Sequence, residues 1–200
     1  MVCKTQKGFT LIELLIVIIV LGTLSAVMLL SSLEAISTAD TATIINNLTG
    51  LKKATTAWFW DNDNWRRLVK EGSKYMVETE GVRQDVKDFI RAHGAEIVKY
   101  LDNGSSITLK VAGSDLPADS YCFQTLKNGK EWYMGYKFFK DAKTEKDQKL
   151  INFMSKFESR ASSLNLISIT NADNASKAKA EKFGANKDKY VYILVLKLED

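Results

Sequence analysis

Lys7-Gly8-Phe9-Thr10-Leu11-Ile12-Glu13-Leu14 opens an apolar run that continues to Leu30, and Glu13 is the only charged residue from Phe9 to Leu30. As a helix this stretch measures roughly 33 Å at about 1.5 Å per residue, enough to cross the hydrocarbon core of a bilayer. Lys4 and Lys7 precede it, which places that side in the cytoplasm. A carboxylate at the centre of a bilayer costs about 2.5–3.5 kcal/mol on insertion scales, so Glu13 needs a counter-charge or an escape to water. Two arrangements provide one. Glu13 can snorkel to the headgroups from the helix end. Alternatively, a cut between Gly8 and Phe9 turns the nitrogen of Phe9 into an α-amine with an unperturbed pKa of about 7.7–8.0, mostly cationic at neutral pH. Phe9 lies four residues before Glu13, within one helical turn, so that amine can reach the carboxylate in its own chain or in a neighbour. A secretory signal cut near Ser25-Ala26 and a plain uncut anchor are the competing readings. Against the first stand the length of the apolar run and the carboxylate near its start.

These residues resemble the class III signal of type IV pilins and the related pseudopilins, over roughly the first 35 residues of the chain. The resemblance implies a leader, residues 1–8, removed by a membrane-embedded prepilin peptidase between Gly8 and Phe9. It implies N-methylation of Phe9 by the same enzyme. It also implies pairing of Glu13, the fifth residue after the cut, with the N-terminal amine of a neighbouring subunit during filament assembly. Residues 9–30 are then the membrane-spanning and filament-core half of the first helix. Residues 31–200 are an extracytoplasmic head that includes the helix's second half. The expected fold is α+β and pilin-like, a long N-terminal helix packed on an antiparallel sheet with additional helices. The implied partners are copies of the same chain, the prepilin peptidase, an assembly ATPase, a membrane platform protein and the membrane. The precursor belongs in the cytoplasmic membrane and the assembled product in an extracellular fibre. Two features depart from many major pilins. The only proline is Pro117, outside the apolar run, and the cysteines are Cys3, which leaves with the leader, and Cys122. One remaining cysteine cannot close a loop within the mature chain. A minor pilin or a type II secretion pseudopilin is therefore the alternative, with a non-polymerising anchored binding protein behind it.

Composition narrows the remaining classes. The formal charge is +4, and without Lys4 and Lys7 the side chains stand at 26 basic against 24 acidic. That balance gives no charge argument for nucleic-acid binding. No nucleophile elbow, phosphate-binding loop or C-x-x-C pair occurs, and His93 is the sole histidine, so the chain reads as a non-enzyme without cofactor. A calcium loop starting at Asp61 would need glycine sixth and glutamate twelfth. The chain has Arg66 and Gly72 there, so Asp61-Asn62-Asp63-Asn64 reads as a helix-ending turn. No metal site is expected.

Past Leu30 the apolar face continues through Ile44, Leu48, Leu51, Thr55 and Trp58 at alternating spacings of four and three. One helix is predicted from Phe9 to about Trp60, with Gly50 as a possible bend. The nearby tryptophans are expected in the core or between subunits. Val82, Val86, Phe89, Ile90, His93, Ile97 and Leu101 fit a second amphipathic helix, with His93 bonded to backbone. A turn is predicted at Asp102-Asn103-Gly104. Strands are predicted over Ile107–Ala112, Tyr121–Leu126, Glu131–Phe139, Leu164–Ile169 and Tyr190–Leu198. Asn128-Gly129 marks a hairpin. Cys122 should be a buried, inert thiol. A third helix is expected around Leu150–Phe157, and Asn171–Gly184 reads as an exposed loop or short helix. Both faces of the last strand are apolar, which suits a central strand.

Overall fold

A computed structural model describes residues 9–101, 107–111, 116, 120–138, 148–170, 178–184 and 190–199. The predicted turn at Asp102-Asn103-Gly104, the leader residues and Pro117 lie outside these described residues.

The first helix, α1 (Leu11–Asp61), is a single 51-residue element, about 75 Å long at 1.5 Å per residue. Its two halves face different surroundings. Leu11–Leu29 has a mean hydropathy of 2.7 and none of it is buried. From Thr41 onward the predicted stripe turns inward. Ile44, Leu48, Leu51, Ala54, Thr55 and Trp58 are all buried, and the apolar ones form the core with the sheet below. The helix runs through Gly50 without a break. A side chain there would meet Leu101 at 3.1 Å, so this glycine is a point of close approach. The helix ends where the acidic cluster begins. Asn62 donates from its backbone (3.2 Å) and its side chain (2.9 Å) to the carbonyl of Trp58, and Asp63 adopts a left-handed φ of 54°.

The tryptophans divide by position. Trp58 packs against Phe89 and His93 and donates its indole N–H to Glu96 Oε2 at 3.2 Å. Phe59 meets Trp132 edge-on at 4.9 Å. Trp60 and Trp65 are exposed together, their rings 5.7 Å apart.

After a 3-10 turn (Asn64–Arg67) comes an antiparallel meander of β1 (Leu68–Glu71), β2 (Lys74–Thr79) and β3 (Val82–Asp85). Val82 thus belongs to a strand and not to the predicted second helix. That helix starts at Val86, because Asp85 caps it by accepting the amide of Lys87 at 2.9 Å. It is also divided into α2 (Val86–Ala92) and α3 (Gly94–Val98) at His93. His93 Nδ1 lies 2.9 Å from the carbonyl oxygen of Phe89, a contact that requires the proton on Nδ1 and matches the expected backbone bond.

The main sheet has the order β4 (Leu109–Val111), β5 (Ser120–Leu126), β6 (Glu131–Lys137), β9 (Tyr190–Lys197), β7 (Ile167–Thr170), β8 (Lys179–Lys182). All its pairs are antiparallel except β4 with β5, which is parallel. The third predicted helix is α4 (Gln148–Leu164), and Leu164 closes it instead of opening β7. The polar segment predicted as loop or short helix supplies the edge strand β8. β9 is central, as its two apolar faces require. A register irregularity opposite Trp132 and Tyr133 has a consequence for its far end. Leu194 packs with Tyr190 and Tyr192 on one face, while Leu196 joins Val191, Ile193 and Val195 on the other.

The β5–β6 turn joins the two sheets. Lys127, Asn128 and Gly129 all have positive φ (51°, 56° and 84°). Tyr75 of β2 donates its amide to the carbonyl of Asn128 at 2.8 Å, and Trp132 donates its indole N–H to the carbonyl of Gly129 at 2.6 Å. Beside this turn the carboxylate of Glu131 is almost enclosed. It accepts from Lys127 Nζ at 2.8 Å and from the Tyr133 hydroxyl at 3.0 Å, with Lys197 Nζ at 4.0 Å.

Candidate functional site at the start of the first helix

Gly8 lies outside the described residues, which begin here at Phe9, an exposed residue ahead of the helix. Thr10 is the N-cap, with extended backbone (φ −79°, ψ 152°). Its hydroxyl oxygen accepts the amide of Glu13 at 3.3 Å. Glu13 answers through Oε2, which accepts the Thr10 amide at 2.8 Å and the Thr10 hydroxyl at 2.7 Å. This reciprocal arrangement is a capping box, which satisfies donors that a helix start otherwise leaves unpaired. It also sets a carboxylate at the positive end of the helix dipole.

Sequence reasoning singled out Glu13 and missed Thr10. The signal was present as a threonine followed three residues later by a glutamate, just before an apolar run. The structure thus gives Glu13 two hydrogen-bond donors even while Phe9 is still joined to the leader. Neither donor carries charge. Both bonds use Oε2, and Oε1 accepts none among the described residues. A cation arriving at Oε1 would complete the carboxylate without breaking the cap.

The rest of the span satisfies its own polar groups. Thr23 donates to the carbonyl of Val20 (2.9 Å), Ser25 to that of Leu21 (2.7 Å), and Ser31 and Ser32 to that of Met28 (3.0 and 2.8 Å). Side chains that bond back to their own helix leave nothing unpaired toward lipid. The large apolar side chains of this stretch, from Leu11 and Ile12 to Met28 and Leu29, are exposed. The head covers none of this surface.

Elsewhere the chemistry is that of a packed interior. Cys122 is a free, buried cysteine. Burial pushes its thiol up to about 12, against smaller downward pulls from a Tyr192 hydrogen bond and the charges of Lys87 and Lys137. Such a thiol stays protonated and unreactive at neutral pH. Lys137 is buried too, donating to the carbonyl of Leu116 and lying 5.5 Å from the ring of Tyr190. Among the described residues no three His, Cys, Asp or Glu side chains gather as a metal ion would require.

A family model described as the prokaryotic N-terminal methylation motif matches residues 3–29. No curated protein and no solved structure matches the chain. The motif spans the capping box and the exposed apolar half of α1, and it supports a type IV pilin-like or pseudopilin precursor. A class III signal of this kind implies processing by a prepilin peptidase and a membrane assembly machinery in general.

Proposed function

We propose that this chain is the structural subunit of a type IV pilus and acts by polymerisation rather than by catalysis. The observation that carries this reading is the joint occurrence, within residues 3–29, of the methylation motif, a wholly exposed apolar helix and one carboxylate held at its start. In the precursor the exposed half of α1 rests in lipid, with the leader on the cytoplasmic side. Cleavage between Gly8 and Phe9 creates a cationic amine, which the same enzyme methylates. Copies then exchange lipid contacts for one another along α1, and the amine of one copy meets Glu13 of the next. An assembly ATPase and a membrane platform protein drive this exchange, and the product is an extracellular fibre serving adhesion, motility, DNA uptake or secretion.

A minor pilin or type II secretion pseudopilin is the second reading. It is favoured by the proline-free span and by a mature chain whose one cysteine is buried and unpaired.

Mass spectrometry of purified filaments tests the first reading. The expected result is a chain that begins at methylated Phe9 and makes up most of the filament mass. Filaments in which it is a trace component would transfer the assignment to the second reading. An intact Met1 would leave only an uncut anchor. Glu13→Val is expected to insert and be cleaved normally yet to assemble poorly, because it partitions better into lipid but offers no carboxylate to the incoming amine. Wild-type amounts of fibre from that variant would exclude the pairing.

A further inference from the structure

We draw no further inference here: the strongest candidate, the exposed Trp60–Trp65 pair with the shallow cleft beside it between the end of α1 and β9, is an unpartnered apolar face, and nothing in the structure shows what covers it.

Discussion

Thr10 and Glu13 hold each other through three hydrogen bonds, which fix the first turn of α1, the turn at which the proposed function has subunits dock. Thr10→Val keeps the shape of the side chain and removes its hydroxyl. The amides of the first turn should then exchange with solvent about fivefold faster in the full chain in detergent micelles, the factor expected from one lost N-cap. Thr10→Ser should restore the original rates, and equal exchange in all three chains would show that the cap does not hold the turn. A second carboxylate shows the opposite setting. Burial pushes the carboxyl of Glu131 up, but hydrogen bonds from Lys127 and Tyr133 and the charges of Lys127 and Lys197 outweigh it and hold the group below the ordinary glutamate range. A carboxylate depressed by folding contributes stability in full above its unfolded pKa of about 4.3, and that contribution fades as the pH falls through the lower folded value. Glu131→Gln lacks the charge at every pH. Wild type should therefore exceed the variant in urea midpoint at pH 7, and the gap should shrink at pH 3. A gap of the same size at both values would mean that the ion pairs contribute nothing.

Among the elements, the β5–β6 turn carries more than its own hairpin. Gly129 has φ 84°, and a Cβ there would sit 2.8 Å from the carbonyl oxygen of Tyr75. Gly129→Ala should cost about 2 kcal/mol or more, through left-handed strain and the clash with backbone. The loss should appear as loosened protection of β2 amides, since β2 is the strand that the turn touches. An unchanged denaturation midpoint would show that the sheets are joined elsewhere. This turn was legible from Asn128-Gly129 because only a few residue pairs suit consecutive positive φ. The helix α1 was legible from its spacing, and β9 from apolar residues on both faces. The meander was not. Of its three strands only Val77 is buried among the apolar residues, so alternation is faint, and its exposed side is laced with pairs such as Lys74–Asp85 and Arg83–Glu78 that read as ordinary surface charge. β8 was hidden for a similar reason. Lys179, Ala180, Glu181 and Lys182 are all exposed, as suits an edge that must not recruit another strand. The parallel β4–β5 pair depends on a long-range choice of neighbour, which local periodicity does not encode. The candidate site was legible in its charge and not in its cap, because one acid in an apolar run stands out by charge alone, whereas the Thr10 cap rests on a single Thr-to-Glu spacing of three.

At the scale of the whole molecule, α1 belongs to two phases. Its first half exposes one large apolar side chain after another, and its second half is the spine of the core. No apolar contact of the described head extends to Leu11–Leu29, whose surface is entirely open. The hydrophobic effect must bury that surface in something other than the head, either lipid or further copies of α1. The head should therefore fold without it. A shortened chain beginning at Thr38 keeps Thr41, Ile44, Leu48, Leu51 and Trp58, the residues that α1 buries in the head. We expect this chain to be monomeric and soluble without detergent. Its thermal midpoint should lie within about 4 °C of the head transition of the full chain in micelles, which corresponds to a change below about 1 kcal/mol for a domain of this size. It should also fail to form filaments at any concentration, because it has lost both the apolar surface and Glu13. Circular dichroism and sedimentation settle the first two points, and electron microscopy settles the third. An unfolded shortened chain would mean that the span takes part in folding the head. Filaments from it would mean that subunits join through the heads, leaving the exposed helix as an anchor alone.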